Sequence, residues 1–117
     1  MASGAEALWK IECDSLTDAD WDTVASWISP KYKFHEVFGV PNGGLKLAER
    51  LASHCEPGHR QSLIVEDVYT TGQSMRNLRE ILIKRDPGRF YVGVVLFARN
   101  PIVNADLNWV KPIFQFW

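Results

Sequence analysis

Apolar and polar positions along this chain fall into blocks that switch between a helical and a strand period. From 18 to 28, Trp21, Val24, Ala25 and Ile28 recur three and four residues apart, which predicts an amphipathic helix. Thr17 stands at the N-cap position with Asp20 three residues later, close to a capping box, and Pro30 ends the run. The span 34–40 reads as a strand, closed by the turn cluster Pro41-Asn42-Gly43-Gly44. A second helix is expected over 45–54, with Leu47, Ala48, Leu51 and Ala52 facing inward, until Glu56-Pro57-Gly58 breaks it. A short apolar strand, 62–65, then runs into Glu66 and Asp67, and a loop follows over 69–73. Gln73 or Ser74 opens a third helix with Met75, Leu78, Ile81 and Leu82 on one face, stopped at Asp86-Pro87-Gly88. The continuous apolar run 90–97 has the pattern of a strand buried on both faces, and the tail 100–117 carries two prolines and an aromatic end.

Strand, helix, strand, helix, strand is the order of an α/β fold with a parallel central sheet, flanking helices and right-handed crossovers. Ligands of such sheets bind beyond the C-terminal ends of the strands. Two segments hold that place here, 41–44 and 66–74.

Bulk properties narrow the class. With 117 residues the chain is expected to form a single domain over 1–117, and 46% hydrophobic residues suffice for a modest core. A net charge of -1 gives no basic field to attract nucleic acid. No apolar run approaches the roughly 20 residues of a membrane span, and residues 1–11 lack the pattern of a signal peptide. Cys13 and Cys55, far apart and without CxxC spacing, read as reduced thiols of a cytoplasmic protein. The five tryptophans read first as core or interface residues.

The chemistry concentrates in Leu63-Ile64-Val65-Glu66-Asp67-Val68-Tyr69-Thr70-Thr71-Gly72-Gln73-Ser74. A buried strand delivers two adjacent carboxylates, then small hydroxyl residues and a glycine lead into a helix N-terminus. Backbone N–H groups at that terminus attract a phosphate, and Thr70, Thr71 and Ser74 add hydroxyl donors. Glu66 and Asp67 would repel phosphate but suit sugar hydroxyls, or a magnesium ion bridging to them. On physical grounds alone a solvated acidic pair before an ordinary helix start is an equally good reading.

The run Val65-Glu66-Asp67-Val68-Tyr69-Thr70-Thr71-Gly72-Gln73-Ser74 resembles the signature of type I phosphoribosyltransferases. The resemblance implies that Glu66 and Asp67 contact the ribose 2- and 3-hydroxyls of 5-phosphoribosyl-1-pyrophosphate. It implies that Thr70, Thr71, Gly72, Gln73 and Ser74 hold the 5-phosphate, and that Mg2+ accompanies the diphosphate. Thr70 stands where members acting on 6-oxopurines carry an aspartate, and is more similar to the orotate-type pattern. The turn Pro41, Asn42, Gly43 and Gly44 resembles the family's pyrophosphate loop, where many members have a basic residue in place of Asn42 and a cis peptide matching Pro41-Asn42.

The resemblance covers roughly 34–99. It implies transfer of ribose 5-phosphate to a nucleobase with release of pyrophosphate, a small-molecule partner, and a homodimer. The chain departs from the family between its two motifs, where only 54–61 replaces a strand and a flexible, basic catalytic loop. His59, Arg60 and Lys46 are the basic candidates for touching a ligand, against a solvated surface. Trp109 is the candidate for stacking on a base, against core or dimer packing, and Phe114, Phe116 and Trp117 form an apolar end. Three rival readings stay open: a binding module without turnover, a phosphatase- or receiver-like domain using Asp67, and a structural interaction domain.

Overall fold

The computed structural model describes residues 16–41, 43–103 and 105–115. The expectations resting on residues 1–11, Cys13, Asn42 and its bond to Pro41, Phe116 and Trp117 lie outside these residues.

Helix α1, Asp18–Ile28, opens with the expected capping box. Thr17 N–H donates to Asp20 Oδ2 at 2.9 Å and the Thr17 hydroxyl accepts from the Asp20 amide at 3.2 Å, which satisfies two otherwise orphaned donors. Strand β1, Glu36–Gly39, is followed by α2, Leu45–Leu51, a 3₁₀ turn at Ala52–His54, and β2, Gln61–Tyr69. Then come α3, Gln73–Arg85, and β3, Phe90–Ala98. A second 3₁₀ turn, Ala105–Leu107, leads into β4, Val110–Gln115. The four strands lie in the order β1-β2-β3-β4 and all pair in parallel. The fold is α/β, with helices on both faces of a parallel sheet. No helix among the described residues is long and apolar enough to cross a membrane.

The alternation of strand side chains divides the core in two. Leu63, Val65, Val94 and Leu96 meet Trp21, Val24, Ala25 and Ile28 of α1, and Leu47 and Leu51 of α2, around the fully buried Phe34. Ile64, Tyr91 and Val95 meet Met75 and Leu82 of α3, together with Leu107 and Val110. Burying one such side chain stabilises the fold by about 1.5–3 kcal/mol. The buried Tyr91 hydroxyl donates to the Leu82 carbonyl at 3.1 Å, tying α3 to the sheet.

This arrangement corrects the crossover expectation. β1→β2 and β2→β3 step in the same direction across the sheet, yet α2 covers one face and α3 the other. Two such crossovers are necessarily of opposite hand, so both cannot be right-handed. The burial partner of α2 explains the choice. Its apolar side packs on α1 as well as the strands, and that shared interface holds it on the α1 face.

Other boundaries move for local reasons. β1 begins only at Glu36. The second helix tightens into 3₁₀ after Leu51, leaving Ala52 exposed. Ile81 is 63% exposed, because the buried stripe of α3 runs through Met75 and Leu82 with Leu78 at its margin. The tail supplies a fourth strand, with Phe114 stacked on Phe97 (centroids 5.6 Å) and met edge-on by Trp27 (5.8 Å).

Candidate functional site

Strand β2 does not stop at the acidic pair, as expected, but continues to Tyr69 against β3, with Glu66 opposite Val95 and Tyr69 opposite Ala98. β1 ends earlier, at Gly39 opposite Val65. The last four residues of β2 therefore have no strand on that side, and the turn after β1 fills the space. The turn is drawn in by hydrogen bonds from Val40 N–H to the Val65 carbonyl (2.9 Å) and from Gly44 N–H to the Val40 carbonyl (2.8 Å).

At this junction the β2–β3 ladder omits Asp67. The Asp67 carboxylate instead accepts from the next backbone amide, Val68 N–H, at 2.8 Å. Side-chain alternation slips here as well: Val68 packs on the same side of the sheet as Val65. The slip turns Asp67 toward the first turn, where its carboxyl group lies directly against Gly43. A Cβ at Gly43 would overlap that carboxyl group. Only glycine admits the contact, which joins the two motifs.

Glu66 is half-buried on the same strand. Burial, and then the negative charge of Asp67 beside it, push its carboxyl up to about 7. Near neutral pH Glu66 is thus divided between an acceptor and a group that also donates a proton, while its neighbour supplies the negative charge.

Thr70 and Thr71 are exposed, and Gly72 turns the chain into α3 with φ +78°, in the left-handed region that glycine tolerates. A Cβ at Gly72 would come within 2.8 Å of both Leu107 and Tyr69, so close packing requires glycine here too. As N-cap, Gly72 offers no side-chain acceptor to the first turn of α3. The Gln73 amide instead donates to the Thr71 hydroxyl at 3.3 Å. Gln73 is drawn along the helix, donating to Asn77 at 2.7 Å and accepting from Arg76 at 3.0 Å. Ser74 is exposed on the first turn. The loop thus presents exposed hydroxyls and helix-terminal amides beside two carboxyl groups, a set suited to a phosphorylated sugar.

The structure also redistributes the basic residues. His59 and Arg60 precede β2 and so lie at the opposite end of the sheet from the loop, while Lys46 is exposed on the first turn of α2. The cations near the loop are ones that sequence reasoning passed over. Arg76, one turn into α3, pairs with Asp106 at 2.9 Å. Arg99 follows β3, its amide bonded to the Tyr69 carbonyl at 3.1 Å. Next to it, Asn100 donates from Nδ2 to the Thr70 carbonyl at 3.2 Å and braces the loop. The available signal was the rule that put weight on β1 and β2: the residues just past a third buried parallel strand belong to the same edge.

Trp109 is engaged elsewhere. Its ring lies against Gly93 in mid-strand, Arg79 covers it at 5.0 Å, and its Nε1–H donates to the Asp106 carbonyl at 2.8 Å. These contacts give the ring a packing role on the α3 face of the sheet.

Among the described residues no three His, Cys, Asp or Glu side chains gather as a metal site. Asp67 and Glu66 together can supply one or two oxygen ligands, which suits an ion carried chiefly by a diphosphate and water. No protein-family model matches the sequence, and no curated protein matches it.

Proposed function

We propose that this chain is a small phosphoribosyltransferase-like protein that binds 5-phosphoribosyl-1-pyrophosphate across the ends of β1 and β2. The observation that carries the reading is the contact of Asp67 with Gly43, which sets the acidic strand end, the hydroxyl-rich loop and the glycine turn side by side. Glu66 and Asp67 face the ribose hydroxyls, and a partly protonated Glu66 can donate as well as accept. Thr70, Thr71 and Ser74, with the first amides of α3, hold the 5-phosphate. The backbone of 41–44 holds the diphosphate. Magnesium, bound through the diphosphate and Asp67, would neutralise the leaving group.

In the reaction the bond from ribose C1 to the diphosphate oxygen breaks, a ring nitrogen of the base forms the new bond to C1, and that nitrogen's proton passes to solvent. Charge builds up on an oxocarbenium-like ribose, and the protein acts by position and electrostatics. Orotate is the first base to test, because Thr70 matches the orotate-type pattern.

A second reading is favoured by a specific observation. The link between the 3₁₀ turn at Ala52–His54 and β2 is short and lies at the far end of the sheet, so it cannot cover the site. A site open to water on that side suits a module that binds phosphoribosyl compounds without turnover.

Calorimetric titration of the parent and of Asp67→Asn/Thr71→Ala with 5-phosphoribosyl-1-pyrophosphate and magnesium tests the shared claim. Binding in the parent that is lost in the variant supports it, whereas a parent that binds nothing ends it. Pyrophosphate release on adding orotate or another base then separates enzyme from binding module.

A further inference from the structure

At the opposite end of the sheet the chain builds a second feature that the loop site does not use. Two turns of matching chemistry feed β2 and β3: Glu56-Pro57-Gly58-His59 and Asp86-Pro87-Gly88-Arg89. Each has an acid, proline, glycine and base, and in each the acid pairs with the base three residues on. Glu56 meets His59 at 3.2 Å, and Asp86 meets Arg89 at 3.1 Å. The turns are locked together as well. Arg89 Nη1 donates to the His59 carbonyl at 2.7 Å, and Phe90 N–H donates to the Arg60 carbonyl at 3.0 Å. A third segment joins them where His35 N–H donates to the Gln61 carbonyl at 2.8 Å.

Between them lies a cleft of about 420 Å3, lined by His35, Gly58, His59, Arg60, Asp86, Gly88 and Arg89. The two glycines keep side chains out of it, and Gly58, with φ +96°, has nothing within 4 Å of where a Cβ would lie. Its charges are unevenly satisfied. Asp86, the one carboxylate in the lining, is engaged by Arg89, whereas the Arg60 guanidinium has no hydrogen-bond or ion-pair partner among the described residues. His35 has a buried Nδ1 without a hydrogen-bond partner, and its Nε2 lies 3.9 Å from Glu36 Oε1. Arginine forks with imidazoles beside them and no free carboxylate form a lining for a small oxyanion.

We propose that this cleft is a second binding site, at the N-terminal ends of the strands, for the phosphate group of a small phosphorylated molecule. Arg60 supplies the principal charge, Arg89 is held in place by Asp86 and the His59 carbonyl, and His35 and His59 flank the anion. The site is separate from the loop at the other end of the sheet and stands whether or not that loop binds a phosphoribosyl group.

The chain has three histidines, and the third, His54, does not line this cleft. Titration of the full chain with inorganic phosphate, at fixed pH and with chloride keeping the ionic strength constant, can be followed through the imidazole resonances. His35 and His59 should move saturably while His54 does not. Thr71→Ala should leave the response intact. Arg60→Gln changes an exposed side chain without a partner, so the fold survives, and the affinity should fall roughly tenfold or more with loss of one charge-assisted contact. Three results overturn the proposal: equal movement of all three imidazoles, loss of the response in Thr71→Ala, or an Arg60→Gln variant that binds as the parent does.

Discussion

Glu66→Gln offers the sharpest test of the electrostatics at the acidic pair. The folded chain holds the Glu66 proton up to about 7, against an ordinary value of 4.5. Below 4.5 the folded and unfolded states both carry the proton and the group contributes no difference. Between 4.5 and 7 the unfolded chain has released it and the folded chain has not, so stability falls as pH rises through this window. Above 7 both states are ionised and the penalty is complete. At about 1.4 kcal/mol per pH unit, the ceiling is about 3 kcal/mol. Glu66 is only half-buried, and screening by water reduces the expected effect to about 1–2 kcal/mol. Glutamine keeps the size and cannot ionise. Urea unfolding followed by tryptophan fluorescence, in metal-free buffer from pH 4.5 to 8, should find the variant close to the parent at the acid end and about 1–2 kcal/mol more stable at pH 8. Groups that do not interact with Glu66 act alike in both proteins and cancel in the difference, and the repulsion from Asp67 is already contained in the raised Glu66 value. A difference that stays flat with pH, or a variant less stable at pH 8, would refute the account of Glu66 as a carboxyl disfavoured in its charged form.

Three further substitutions probe the geometry. Gly43→Ala puts a methyl group into the space of the Asp67 carboxyl; it should weaken phosphoribosyl pyrophosphate binding roughly tenfold or more by calorimetry, with the chain still folded. Gly72→Ala combines a left-handed φ with close approach to Leu107 and Tyr69, and should cost about 1–3 kcal/mol in urea unfolding. By contrast Thr17→Ala, which removes the α1 cap and touches no residue of either loop motif, should cost about 1 kcal/mol while leaving binding unchanged.

The elements that could be read from the sequence were those carried by local signals. The spacing of Trp21, Val24, Ala25 and Ile28 gave the α1 face, and Thr17 with Asp20 gave its cap. The apolar run of β3, apart from Phe90 at its exposed start, and the break at Asp86-Pro87-Gly88 behaved as their composition implies. What escaped depended on distant partners. β4, interrupted by Pro112, has too weak a strand pattern of its own and forms by pairing with β3. The continuation of β2 past Glu66 and Asp67 is likewise sustained by β3, against the low strand propensity of the two acids. The two candidate loops could be named residue by residue because glycines and hydroxyls announce themselves locally. Their meeting through Asp67 and Gly43, and the brace from Asn100 to Thr70, arise from strand lengths and register, to which composition is blind.

The reversal of crossover hand has a consequence for how the molecule opens. One helical layer, α1 with α2, comes wholly from the N-terminal part of the chain, and the other, α3 with the turn at Ala105–Leu107, from the C-terminal part. Neither layer is interleaved in sequence with the other, so each can loosen as its own cooperative unit, with the sheet as a partition between them. The turn at 41–44 belongs to the first unit and the loop at 70–74 to the second. A ligand that bridges them would fasten one unit to the other, and its binding would be recorded as slowed amide exchange in α1, a helix that contributes no residue to either loop.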